Sequence, residues 1–155
     1  MTYVLRPRYW MALLFSAVVA LQSCKVTFVS AYDDISAQIA NDLQQTTTAF
    51  FVKVESNPNN PELKYDACKS MYEGMRTKAA TLRIRNMAID KNKFMSDLAT
   101  QLESNIKDLE ALHKIKQNGL LSMDDVTLLK SAFENQFGAI FKFLMASKAR
   151  ENTGQ

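Results

Sequence analysis

Between Tyr32 and Ala149, apolar residues recur every three or four positions in four separate runs, and no stretch there shows the strict alternation of a strand. That spacing lines one face of an α-helix. A first helix is expected over residues 32–55, with Tyr32, Ile35, Ile39, Leu43, Thr46, Phe50 and Val54 as its stripe and Ser30 and Asp33 as a capping pair. The turn-forming run Ser56-Asn57-Pro58-Asn59-Asn60-Pro61 ends it. Asn60 then suits the cap of a second helix, and Pro61 its first position.

The second helix is expected over residues 61–89, with Cys68, Met71, Met75, Ala79, Leu82 and Ile89 facing inward. Gly74 weakens it by about 1 kcal/mol relative to alanine. Asp90-Lys91-Asn92-Lys93 is polar but holds neither Gly nor Pro, so it fits either a turn or a bend in one long helix. A third helix is expected over residues 94–117, with Phe94, Leu98, Leu102, Ile106, Leu109 and Leu112 inward and Gly119 as a left-handed stop. The fourth has the best start signal. Ser122 stands at the N-cap and Asp125 three residues on, with Leu121 and Val126 at the staple positions. Its stripe is Val126, Leu129, Phe133, Phe137, Ile140, Phe141 and Leu144; it is expected to end near Ala149, with residues 151–155 a frayed tail. Four such segments with short connections bury their stripes most simply as an all-α, antiparallel four-helix bundle over residues 32–150.

The chain ahead of this domain has a different character. Residues 1–8 are positive, with Arg6 and Arg8, and Tyr9 to Leu21 is an almost wholly apolar run of 13 residues that ends at Gln22-Ser23-Cys24. This is the layout of a secretory signal. A spanning helix needs about 20 apolar residues, so a permanent transmembrane anchor is not expected. Leu at −3 from Cys24 is poor for ordinary secretory cleavage, which prefers a small residue there.

Leu21-Gln22-Ser23-Cys24 resembles the lipobox of bacterial lipoproteins, L-[A/S/T]-[G/A/S]-C, with Gln22 departing at its loosest position. The resemblance covers residues 1–24. It implies removal of residues 1–23, a diacylglycerol thioether on Cys24 and, in a Gram-negative cell, an acylated amine. Three acyl chains hold a protein far more firmly than the marginal binding of one. In the enterobacterial sorting pattern Asp after the cysteine retains lipoproteins in the inner membrane, so Lys25 implies the outer membrane, facing the periplasm. Residues 24–31 then form a lipidated cysteine and a short tether, which keeps the domain within about 25 Å of the bilayer. The Asp108-Leu-Glu-Ala-Leu-His113 run and the Gly119-Leu-Leu-Ser122 cap are similar to small helical envelope lipoproteins to which no activity is assigned.

Without residues 1–23 the chain has 132 residues, enough for one domain with its own core. Loss of Arg6 and Arg8 takes 19 basic residues to 17 against 16 acidic, so no nucleic-acid footprint remains. With Cys24 in a thioether, Cys68 has no partner within the chain; it reads as a buried thiol, with an intermolecular disulfide as the alternative.

Little else in the chain suggests chemistry. Glu110-x-x-His113 has the spacing used in di-iron bundles, which need two such pairs, and this chain has one histidine. His113 is expected at the surface or at a helix end, stabilised by the helix dipole. A haem between His113 and Met71, Met75, Met87 or Met95 satisfies ligand count, although methionines at helical spacing are usually core filler. Asp33-Asp34 and Asp124-Asp125 suit helix starts.

Arg76, Lys78, Arg83 and Arg85, followed by Lys91 and Lys93, suggest an anionic-partner patch for lipid heads or an acidic protein; the alternative is a solvated face paired with Asp97, Glu103 or Asp108. Phe143 lies off the last stripe and is a candidate exposed contact. The expectation is a non-catalytic, lipid-anchored envelope protein with a binding or structural role, without a cofactor, engaging the membrane through its lipid and an envelope protein as partner. Envelope assembly, a sensor accessory role and immunity against a toxin fit alike. The alternative is a small-ligand or haem-binding bundle.

Overall fold

The computed structural model describes residues 31–153; the leader, Cys24 and Ser30 lie outside the described residues. It is an all-α four-helix bundle. The helices are α1 (Asp34–Ser56), α2 (Tyr65–Ala88), α3 (Lys93–Ile115) and α4 (Met123–Asn152). Short 3-10 turns at Pro61–Leu63 and Gln117–Gly119 lie in the first and third connections.

Contacts between helices show that every neighbouring pair runs antiparallel. Asp33, at the start of α1, meets Arg85 near the end of α2, and Tyr72 of α2 meets His113 near the end of α3. Phe94, at the start of α3, packs on Phe143 late in α4, and Lys130, early in α4, pairs with Glu55 at the end of α1. The helices therefore form a closed ring, α1-α2-α3-α4, around one core. Leu43, Leu82, Leu102, Ile106, Leu109, Val126 and Ile140 are fully buried there, each worth roughly 1.5–3 kcal/mol of hydrophobic stabilisation.

The caps are local and legible. The Asp33 carboxylate accepts the Ser36 N–H at 3.0 Å and caps α1. Asn60 caps the 3-10 turn rather than α2: its side chain accepts the Glu62 N–H at 3.0 Å, and α2 starts four residues later than expected, at Tyr65. Ser122 and Asp125 form a full capping box at the start of α4.

The 89–92 segment is a true break between α2 and α3. Lys91 takes φ 59°, so a non-glycine residue supplies the left-handed turn. The fourth helix is longer than expected and reaches Asn152. Ser147 is buried in its last turns, and the Thr153 hydroxyl donates to the Arg150 carbonyl at 2.9 Å just past the helix end.

Two stripes are rotated from their expected register. On α3 the buried set is Met95, Ala99, Leu102, Ile106, Leu109 and His113; Leu98 and Leu112 are half-buried and Phe94 is 58% exposed. The centre of this face runs through small Ala99 and polar His113, which hydropathy does not mark. On α1, Ser36, Ala40 and Thr47 turn inward while Ile35 is exposed. Ser36 points inward because Asn86 of α2 is buried opposite and donates to its hydroxyl at 3.0 Å. Among the described residues, no helix is long and apolar enough to cross a membrane.

Candidate functional site

One of two buried polar clusters lies at the end of the bundle that carries the two 3-10 turns. His113 stands in the last turn of α3, as expected, but it is fully buried and not at the surface. Its Nε2 lies 2.8 Å from the Gly119 carbonyl and its Nδ1 2.8 Å from the Tyr72 hydroxyl. A carbonyl only accepts, so Nε2 carries the proton and Nδ1 accepts from Tyr72. Both ring nitrogens are thus committed. Burial pushes the His113 pKa down, which favours this neutral form, and burial pushes the Tyr72 phenol up, which keeps it a donor.

The rings of Phe50, Tyr65 and Tyr72 surround the imidazole at centroid distances of 5.8, 5.9 and 5.7 Å. Aromatic walls of this kind exclude water and strengthen the bonds inside.

This arrangement fastens the two connections to each other. Gly119 has φ +66°, and a Cβ there would stand 3.4 Å from the Tyr65 backbone nitrogen. The α3–α4 turn therefore lies directly on the start of α2, with His113 underneath. The cluster locks a fold, and its two nitrogens offer no free lone pair to a metal or haem iron.

Glu110, one turn before His113, is also engaged. It lies 3.2 Å from Arg76 and accepts from the Tyr65 hydroxyl at 3.4 Å. Among the described residues no three His, Cys, Asp or Glu side chains come together in a way that could hold a metal ion. Met75 and Met95 are core residues, Met71 is half-buried and Met87 is exposed.

Cys68 is buried, and its thiol contacts the Glu62 carbonyl at 3.7 Å. Burial pushes its pKa up, so it stays a thiol and a poor nucleophile. It borders a surface groove of about 400 Å³ between α1 and α2, alongside Phe50, Lys53 and Met71.

The four basic residues singled out on α2 do not converge. Residues 76 and 83, a heptad apart, face α3: Arg76 pairs with Glu110 and Arg83 with Glu103 at 2.7 Å. Residues 78 and 85 face α1: Lys78 pairs with Asp42 at 2.9 Å, and Arg85 grips both oxygens of Asp33. The Arg85 guanidinium holds the Asp33 carboxyl down to about 2. Each cation has its own carboxylate, so the structure makes two ion-pair seams where the sequence suggested one patch. Two of the expected partners are found: Glu103 pairs with Arg83 and Asp97 with Lys93.

Phe143 is not the exposed aromatic of that region. It is half-buried against Phe94 at 5.5 Å between centroids, and Phe94 is the ring that faces solvent. Asp33 and Asp125 serve as caps, as expected.

Sequence reasoning missed the Tyr72–His113–Gly119 lock and the second buried polar chain, in which Asn92 donates to Asn86 and Asn86 to Ser36. A polar residue at a core position of a stripe is the signal that could have found both. Cys24 lies outside the described residues. Compared with family models, with curated proteins and with solved structures, the chain gives no match.

Proposed function

We propose that this chain is a lipid-anchored helical bundle of the bacterial cell envelope that acts by binding a partner and carries out no reaction of its own. The observation that carries the reading is the cysteine at the end of the apolar run, in Leu21-Gln-Ser-Cys24 behind Arg6 and Arg8. Acyl chains on Cys24 would hold the domain at the membrane, and Lys25 favours the outer membrane with the bundle facing the periplasm. An envelope protein is the partner.

The bundle supports a binding role. Its histidine, its buried tyrosine and its thiol are spent on internal contacts, whereas nucleophilic or acid–base chemistry needs such a group poised and reachable.

Crosslinking in cells, followed by mass spectrometry of the membrane fraction, tests the proposal. The wild-type chain is expected in the membrane fraction with a reproducible protein partner. Cys24→Ala is expected to lose that partner, and His113→Gln to keep it. A wild-type chain found in the cytosol with Met1 retained would overturn the reading. So would a chemical activity abolished by His113→Gln in a protein that stays folded.

A further inference from the structure

The bundle end at which residue 31 enters has an unusual tip. Ile84 and Met87, late in α2, and Phe94, at the start of α3, are 59%, 64% and 58% exposed around the 89–92 turn. Met145 and Ile35 are exposed at the same end, on α4 and α1. Across residues 82–94 this tip carries Arg83, Arg85, Lys91 and Lys93 against one carboxylate, Asp90. Lys91 projects from the left-handed turn residue itself. Arg83 and Arg85 are neutralised by Glu103 and Asp33, and Lys93 shares an exposed pair with Asp97.

The opposite end also exposes Ile115 and Leu128, and it carries Lys64, Lys69, Lys114 and Lys116 beside Glu62, Asp66, Asp124 and Asp125. It lies a full helix length, about 35 Å, farther from residue 31. Apolar groups ringed by lysines suit the boundary between acyl chains and anionic headgroups, where the apolar atoms enter and the ammonium groups meet phosphate. The point of chain entry therefore singles out the near end.

The geometry points to the α2–α3 tip as a docking surface for an anionic phospholipid bilayer, with Ile84, Met87 and Phe94 entering the headgroup layer and Lys91 and Lys93 on its phosphates. This rests on the lipid-anchor reading for the nearness of a bilayer, since about six extended residues between Cys24 and residue 31 reach no more than about 25 Å.

The full-chain product, as purified from membranes, is labelled with a nitroxide at Met87→Cys or, as a control at the far end, at Leu128→Cys. Each is placed in vesicles of phosphatidylcholine with or without phosphatidylglycerol. Oxygen and nickel accessibility then report label depth, and an intact mass of the same sample reports acylation of Cys24. The expected result is an interfacial Met87→Cys label in anionic vesicles and an aqueous Leu128→Cys label. Adding Lys91→Glu and Lys93→Glu should cut the docked fraction about tenfold or more, each lysine near an anionic surface being worth about fivefold in binding.

An aqueous Met87→Cys label on an acylated chain overturns the docking and leaves the anchor standing. An interfacial label on an unacylated chain does the reverse. Equal depth in neutral vesicles overturns the assignment to anionic lipid.

Discussion

Replacing Tyr72 with Phe removes one oxygen and leaves the ring in place among Phe50, Tyr65 and His113. That oxygen is fully buried and donates to His113 Nδ1 at 2.8 Å. The other ring nitrogen is held by Gly119, so the imidazole cannot turn to find a new donor without giving up that bond. The loss is therefore a hydrogen bond plus a buried acceptor left unsatisfied, together about 2 kcal/mol. For a domain of this size, 1 kcal/mol corresponds to roughly 4 °C, so Tm should fall by about 8 °C. Urea unfolding followed by far-UV circular dichroism is the assay. The midpoint should drop with an unchanged m-value, because the folded surface is the same. His113→Gln, measured alone and with Tyr72→Phe, should give a coupling energy of about 1–2 kcal/mol. A Tyr72→Phe cost below about 0.5 kcal/mol, or no coupling, would refute the lock.

The remaining expectations concern pH, caps and turns. His113 has a folded pKa below its ordinary 6.5, so the unfolded chain binds the extra proton. Stability should be full above about pH 6.5 and fall below it, by up to about 1.4 kcal/mol per pH unit, with His113→Gln flattening the profile in urea titrations. Asp33, held at about 2 against 3.8, should contribute stability above pH 3.8 that is lost between 3.8 and 2. Asp33→Asn, which keeps the cap and drops the Arg85 pair, should cost no more than about 1 kcal/mol at pH 7, and Asp33→Ala about 2, both read by urea midpoints. Gly119→Ala, at φ +66° against the Tyr65 backbone, should cost roughly 1–2 kcal/mol in the same assay.

Helix type, order and packing direction were legible in the sequence, because apolar spacing and turn chemistry are local signals; the 89–92 break, with neither Gly nor Pro, left helix number open there. The Ser122–Asp125 capping box could be read residue by residue. Stripe register was less legible. Phe94 and Ile35 are large and apolar and looked like core, yet the face that closes the ring runs through Ser36, Ala99 and His113. Which side of a helix is centred on the core depends on two neighbouring helices, and that information is not in one helix's own sequence. The same limit applied to the basic residues of α2. Their clustering along the chain was plain, but residues 76 and 83 turn to α3 and residues 78 and 85 to α1, where separate carboxylates meet them. The buried role of His113 was illegible for a further reason: its partners are Tyr72, 41 residues away, and the Gly119 carbonyl, which has no side chain to reveal it.

The central claim is that the mature protein begins at an acylated cysteine. The most direct test is the intact mass of the membrane-extracted chain beside a Cys24→Ala variant. A product that starts at Cys24 with added acyl mass, absent from the variant, is the expected result. An unlipidated product, or one that still begins at Met1, would contradict the account.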